Sequence, residues 1–316
     1  MITAYYKKDG KILKTGGQSA FDNIPLEALI WIDLNEPSEE EKDYVEEFTD
    51  VSLQTRQQVE EIEISSKYIE FEDIIIVNSH FLTEKDGVYL NEPVSFILKN
   101  KLLISYRSAN LRPFADTVRR FKANYQAFQE GHHFLISLFE SRIDFDADLL
   151  ESISKDITDI GRSLSVENSL DKKLLLKINS YQEITMIIRE NIIDKQRVIS
   201  SLLKSELFPS YYQSKLRIII KDIGSLLDHS AFGFERLEYL QNTFLGLIDI
   251  EQNKIIKIFT LVSVIFMPPT LIASIYGMNF TVLPEFGWKL GYPFAILLMF
   301  LSSAVTLFLF KRKKWL

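Results

Sequence analysis

Hydrophobic and polar positions along this chain change period twice, and each change predicts a different architecture. Over the first 110 residues, short runs rich in β-branched and aromatic residues alternate with polar breaks: Leu29-Ile30-Trp31-Ile32-Asp33-Leu34, Asp73-Ile74-Ile75-Ile76-Val77, Val94-Ser95-Phe96-Ile97-Leu98 and Leu102-Leu103-Ile104-Ser105-Tyr106. Between them Ser38-Glu39-Glu40-Glu41 has the order of a capping box that opens a helix. Residues 1–110 therefore predict an α/β domain with a mixed sheet. From Arg112 the pattern turns helical with few breakers, which gives a helical region over 111–209. No proline follows Pro209 until Pro268. An amphipathic stretch of that length predicts one very long helix, a stalk over 210–257 that runs directly into an apolar segment over 258–276.

The second change is from amphipathic to wholly apolar. Ile258 to Tyr276 is 19 residues without a charge, and Leu290 to Phe310 is 21. At 1.5 Å per residue each is long enough to cross a hydrocarbon core of about 30 Å. The reading is two membrane spans, 258–276 and 290–310, joined by a loop over 277–289 and followed by a basic tail over 311–316. Lys254 and Lys257 precede the first span and Lys311 to Lys314 follow the second, whereas the loop carries only Lys289. That bias puts both termini on the cytoplasmic side and the loop outside. Membrane lipid is thus an expected partner. The tip of the hairpin is Tyr276-Gly277-Met278-Asn279, and a polar body on a short hairpin with a small polar tip points to transport.

Charge and composition narrow the chemistry. The last 62 residues carry a net +5, so that of the overall −7 the first 254 residues hold −12. An acidic body disfavours nucleic acid, whose phosphates need a basic footprint, and favours cations. There is no cysteine, which removes disulfides and thiolate metal sites. His80, His132, His133 and His229 are scattered, and adjacent His132 and His133 point to different faces of a helix, so core or surface histidines are expected rather than zinc ligands. Lys14-Thr15-Gly16-Gly17 is not in the order of a phosphate-binding loop, and no nucleophile, base and orienter set is visible. The expectation is a protein that is not an enzyme and has no organic cofactor. The first residues lack a long apolar core, so no signal peptide is expected.

Down the long helix, Asn253, Ile256, Thr260, Ser263, Met267, Thr270 and Ser274 recur at spacings of 3 and 4, a seam that parallel helices can present to a common axis. Asn242, Gly246 and Asp249 extend it downward, with Asp249 a candidate carboxylate ring near the inner mouth. The same small polar face also serves plain helix packing in a membrane, and Asp249 on a solvated stalk would look identical. A two-span chain cannot enclose a path by itself, so conduction along this seam requires several copies.

Tyr276-Gly277-Met278-Asn279-Phe280, preceded by Phe266-Met267-Pro268 and Thr270 and followed by Pro284-Glu285, Trp288-Lys289, Gly291-Tyr292-Pro293 and the terminal Lys311-Arg312-Lys313-Lys314-Trp315-Leu316, resembles the CorA family of magnesium channels. The resemblance is strong from Asn253 to the end. Upstream it rests on architecture and scattered residues such as Val94-Ser95-Phe96-Ile97-Leu98. It implies an α+β membrane protein that assembles as a funnel-shaped homopentamer in a bacterial or archaeal inner membrane, with a cytoplasmic α/β domain, an inner ring made by the first span, and cation entry at Gly277, Met278 and Asn279. It further implies Mg2+ as the transported and regulatory ion, with Co2+ and Ni2+ as other candidates. Asn253 and Thr270 become stations for a hydrated ion, and Ile256 and Met267, with Phe259 beside them, apolar constrictions. Three residues depart from the family pattern: Pro269 doubles Pro268, Asn242 stands where an acid is common, and Thr281 stands where many members have Glu.

A regulatory site implied by the family has candidates in Glu84 and Asp86 after a strand, Asp144 in the acidic segment that also holds Asp146 and Asp148, and Asp222 or Asp228 on the stalk. Asp144 and Asp148 are a like-charge i,i+4 pair whose repulsion a cation would relieve, and a solvated acidic face is the plain alternative. Two rival functions remain: a zinc transporter of the same superfamily, proton-coupled or not, and a membrane-anchored sensor that conducts nothing.

Overall fold

The structure, a computed structural model, describes residues 1–17, 21, 23–60, 67–85, 88–166, 171–278 and 287–313. The chain folds as two compact units, Met1–Gln241 and Asn242–Leu316.

The first unit is built on a seven-stranded sheet in the order β2-β1-β3-β7-β6-β5-β4. Its strands are β1 (Ile2–Lys8), β2 (Lys11–Gly16), β3 (Leu29–Asn35), β4 (Tyr68–Phe71), β5 (Ile74–Lys85), β6 (Val88–Lys99) and β7 (Leu102–Arg107). The sheet is mixed, as expected: β3 and β7 pair in parallel, and the other described neighbours are antiparallel. Tight turns account for the antiparallel pairs. Asp9 and Gly10 between β1 and β2 both take positive φ (50° and 73°), the conformation that a two-residue hairpin matching the strand twist requires. Strands β1, β2 and β4 are additions to what the apolar runs predict, because Thr3 interrupts β1, lysines flank the two apolar residues of β2, and β4 is only four residues long.

Period-two alternation sends the two sides of each strand to different layers. Ile2, Ala4, Ile32, Leu34, Ile97 and Ile104 share a buried cluster with Val45 of α1 (Glu39–Thr49). Ser38 caps α1 with the full reciprocal box to Glu41 that the sequence predicts. A short α2 (Arg56–Glu60) follows. On the opposite side Tyr5 stacks on Trp31 at 5.0 Å, Trp31 meets Phe134 at 4.9 Å, and Phe96 stacks on Phe114 at 6.2 Å, which seats α3 (Arg112–Ala123) and α4 (Gly131–Val166) by aromatic packing. The central parallel pair is also tied by polar groups. Trp31 Nε1 donates to Ser105 Oγ at 2.9 Å, Ser105 Oγ to Asp33 Oδ1 at 2.8 Å, and Arg107 Nη2 to Asp33 Oδ2 at 2.9 Å.

Gly131 opens α4 at a point where only glycine fits. Its N–H donates to the Lys101 carbonyl at 2.7 Å, and a Cβ there would lie 2.4 Å from the Leu103 nitrogen. Next in the chain, His132 and His133 are core residues rather than a metal pair. His132 packs against Phe208 at 5.1 Å, and burial pushes each imidazole down to about 4, with Glu130 opposing this for His132 and Lys215 adding to it for His133.

Helix α5 (Lys172–Lys204, capped by Asp171) returns alongside α4, and the two are locked to β5 by charges with no exposure at all. Asp146 accepts from Arg142 one turn away and lies 3.6 Å from Lys195 Nζ, while Arg142 Nη1 donates to the Leu82 carbonyl at 2.5 Å and Lys195 Nζ to the His80 carbonyl at 3.3 Å. One carboxylate thus serves two buried cations. Burial drives the Lys195 ammonium down to about 8, Asp146 pulling it back up and Arg142 adding to the fall. The remaining helices are α6 (Gln213–Tyr276), a single helix through both prolines at its upper end, and α7 (Gly291–Arg312).

Asp146→Ala strands Arg142 and Lys195 in the interior, and it should cost about 3–5 kcal/mol, whereas Lys195→Met, which removes the surplus cation, should cost about 1 kcal/mol or less. Urea unfolding of the two full-length variants in detergent measures the difference. Acidification supplies a second check. His132 titrates near 4 when folded and at its ordinary 6.5 when unfolded, so its stability contribution is complete above 6.5 and is lost as pH falls toward 4, about 3 kcal/mol in all. His132→Phe should flatten the fall in melting temperature between pH 7 and pH 4.5.

Candidate functional site

The second unit carries the upper part of α6 and all of α7. Both are long and apolar enough to cross a membrane, with mean hydropathies of 2.1 and 2.2 in their most apolar windows, of which 0% and 6% is buried. Neither is the core helix of a soluble fold.

At 100° per residue the helix α6 separates two faces. Leu261, Val264, Ile265, Pro268, Ile272 and Tyr276 are half-buried, on the side where Ser303 of α7 reaches the Ile265 carbonyl. The stripe runs along the other side. Asn242, Asp249, Asn253, Ile256, Phe259, Thr260, Ser263, Met267, Thr270 and Ser274 are all exposed on the single chain. Thr270 is distinctive among them, because its hydroxyl donates to the Phe266 carbonyl at 2.7 Å. Its proton is used inside the helix, so what it turns outward is oxygen lone pairs.

The contact from α7 has a backbone cause. Pro268 and Pro269 lack N–H groups, so the carbonyls of Val264 and Ile265 lose their usual partners four residues on. Ser303 Oγ donates to the Ile265 carbonyl at 3.3 Å, replacing the bond that Pro269 removes. The doubled proline is thereby accommodated without breaking the helix. Ser303 was not among the residues singled out from the pattern. Its signal was the second proline, which demands a donor from another element.

At the tip, Gly277 N donates to the Ala273 carbonyl at 2.9 Å and Met278 N to the Ile275 carbonyl at 3.2 Å, closing the last turn of α6. A Cβ on Gly277 would stand 3.1 Å from the Ala273 oxygen, tighter than ordinary contact. Among the described glycines, positive φ occurs at Gly10 and Gly17, so Gly277 serves close approach and not a left-handed turn. Met278 is exposed, and Asn279, Phe280 and Thr281 lie outside the described residues.

The acidic candidates are placed as follows. Glu84 sits within β5, paired across the hairpin with Tyr89 of β6, which corrects its reading as a loop residue; Asp86 is outside the described residues. Asp144 accepts from Arg120 Nη2 at 2.5 Å, and Asp148 lies 3.8 Å from Arg112, so the acidic segment is neither bare nor an unrelieved like-charge pair: arginines of α3 relieve it. Asp146 is not on a solvated face at all, being the centre of the buried cluster. Asp222 and Asp228 are both exposed on α6, and at six residues apart they face different ways. Asp144 and Asp222 do share a neighbour. The Glu140 carboxyl is raised by burial, eased by Lys215 and Arg120, and raised further by both aspartates. Among the described residues no three His, Asp or Glu side chains converge as metal ligands.

A polar α/β body whose longest helix continues into an uncovered apolar pair has the make-up of a two-span membrane protein. The family model described as CorA-like Mg2+ transporter protein matches residues 27–312, and the chain belongs to that family. A magnesium transport protein CorA from Wolinella succinogenes is 36% identical over the whole of both chains. In fold, the complete structure of the CorA magnesium transporter from Methanocaldococcus jannaschii is similar at a TM-score of 0.84 and 20% identity, with 100% of this chain and 99% of that one covered. The ZntB cytoplasmic domain from Vibrio parahaemolyticus is similar at 0.60 and 13% identity over 79% of this chain and 98% of that one. At such identities the two structures speak for fold alone.

Ser303→Ala orphans the Ile265 carbonyl in apolar surroundings and should lower stability by about 1–2 kcal/mol. In a Pro269→Ala background, where the helix supplies its own donor, the same change should cost less than half as much. A double-mutant cycle of melting in detergent reads the coupling.

Proposed function

We propose that this chain conducts hydrated Mg2+ inward across a membrane, along an axis formed by several copies of α6. The observation that carries the reading is the stripe: its polar residues stay exposed on the side of α6 away from the α7 contact, and the stripe leads up to Gly277-Met278-Asn279. The full-length relative bears a magnesium transport name, which supports the choice of ion. A homopentamer, with both termini in the cytoplasm, is the assembly we adopt, since one two-span chain cannot surround a path.

Chemistry favours a hydrated ion. Mg2+ demands near-ideal octahedral oxygen geometry and sheds its waters reluctantly, so neutral oxygens that hydrogen-bond those waters can select it without stripping it. A ring of Asn279 amide oxygens does this at the mouth. Thr270, with its proton committed to Phe266, offers lone pairs to water hydrogens further in, and Asn253 is the lower station. Binding by neutral groups is weak enough to release the ion. Rings of Ile256, Phe259 and Met267 close the path by excluding water, and Asp249 attracts cations at the inner mouth, where Asn242 lines the path without charge. Membrane potential supplies about 2.3 kcal/mol per charge per 100 mV, roughly 4.6 for a divalent ion, so no nucleotide is required. Internal Mg2+ held by carboxylates among Glu84, Asp86, Asp144, Asp222 and Asp228 shuts the path, and Co2+ and Ni2+ are further substrates.

Zinc transport, proton-coupled or not, is the second reading, since a zinc transporter of the same superfamily would share this fold. One assay separates these. Proteoliposomes of the wild-type chain with an inside-negative potential should take up Mg2+ faster than Zn2+, and an imposed pH gradient should change neither. Asn279→Ala should cut Mg2+ uptake about tenfold or more, a loss of about 1.4 kcal/mol. Normal uptake by that variant would remove Asn279 from the filter; Zn2+ preference responding to pH would install the rival. In the same vesicles, Asp86→Asn with Asp222→Asn should keep flux open at high internal Mg2+.

A further inference from the structure

Between the adjoining ends of α6 and α7 lies a pocket of about 520 Å3, within the range of about 300–1,000 Å3 that holds small-molecule ligands. Ala273, Gly291 and Ala295 are among its lining residues, and Trp288, Lys289 and Tyr292 stand at its rim. The lining is small where the helices are in contact: Gly291 and Ala295 are buried one turn apart on α7. Absence of side-chain bulk there makes the space. The rim is the reverse, with Trp288 57% and Tyr292 79% exposed, and Trp288 braced edge-on by Phe294 at 6.1 Å.

Chemistry identifies the occupant. Among the described lining residues Lys289 is the one charged group, and it has no ion-pair partner among the described residues. Tryptophan, tyrosine and a lysine at the end of a span-length helix are the groups that sit at headgroup depth, where an ammonium attracts a lipid phosphate. An apolar interior beneath a single cation fits a phosphate with an acyl chain below it. A free anion would leave the apolar lining unused.

We propose that this pocket binds one anionic phospholipid, its phosphate on Lys289, its ester region between the Trp288 and Tyr292 rings, and an acyl chain running down toward Ala295. The proposal rests on reading α6 and α7 as membrane spans. A bound lipid would buttress the last turn of α6, where Gly277 also lines the pocket.

The test uses Trp288 as reporter. A Trp315→Phe chain is reconstituted in phosphatidylcholine vesicles containing an equal fraction of either brominated phosphatidylglycerol or brominated phosphatidylcholine; Trp31, 1% exposed in the sheet core, contributes an unquenched background. Phosphatidylglycerol should associate about fivefold more strongly than phosphatidylcholine, the effect of one lysine at an anionic lipid. Lys289→Arg should keep that preference and Lys289→Gln should abolish it, both being changes at an exposed position that leave folding intact. Ala295→Phe, which fills the pocket, should reduce quenching by both lipids. Equal quenching by the two lipids in the parent chain, or a preference that survives Lys289→Gln, overturns the proposal, as does a Trp288 that neither lipid quenches. Alkaline carbonate extraction tests the spans separately: a chain that stays with the vesicles but shows no lipid preference refutes the pocket assignment alone, whereas a chain released by carbonate refutes the membrane reading beneath it.

Discussion

Apolar helices that no part of their own chain covers have one stable surrounding, hydrocarbon, and in hydrocarbon every backbone carbonyl needs a partner from protein. The second unit is organised by that requirement. Two prolines in α6 remove two donors at successive positions, and Ser303 of α7 answers one of the resulting vacancies. The face of α6 that carries this contact is therefore committed to α7. What remains outward is the polar stripe, so a backbone constraint decides which side of α6 is left uncovered by α7.

The first unit solves the opposite problem, holding charge where there is no water. Its sheet is seated between a cluster around α1, in which Phe21 packs with Tyr44 and Phe48 among aliphatic residues, and an aromatic layer under α3 and α4, and both buried ionic groups join elements far apart in sequence. Arg107 and Asp33 bind the parallel pair β7 and β3, and Asp146 gathers Arg142 and Lys195 from two helices against β5. Such pairs add little net stability over apolar packing, but removing one partner is costly, so they specify the arrangement of α4 and α5 on the sheet.

Carboxylates of the acidic body divide into those with work already and those without. Asp144, Asp148 and Asp146 each have arginine or lysine partners, and apart from Arg142, one turn from Asp146, these come from α3 or α5, where one-dimensional spacing could not reveal them. Asp222 and Asp228 remain exposed on α6. An acidic surface of that kind concentrates divalent cations near the protein whether or not individual sites bind them.

Much of this molecule was legible in one dimension. Four of the seven strands, the capping box at Ser38, the unbroken length of α6 and both apolar helices follow from period, propensity and the absence of charge or proline, all local properties. So does the stripe, since residues three and four apart must share a helix face. Strands β1, β2 and β4 escaped because none of them carries a long apolar run: Thr3 interrupts β1, lysines flank the two apolar residues of β2, and β4 is only four residues long. Tertiary structure alone decided the rest: that the segment around Asp146 is partly interior, that Glu84 is a strand residue, that Gly277 is needed for close approach rather than for an unusual angle, and that Ser303 compensates Pro269. Each of these depends on which group from a distant element arrives at a given atom, and a sequence read along one helix or strand carries no information about what packs against its other side.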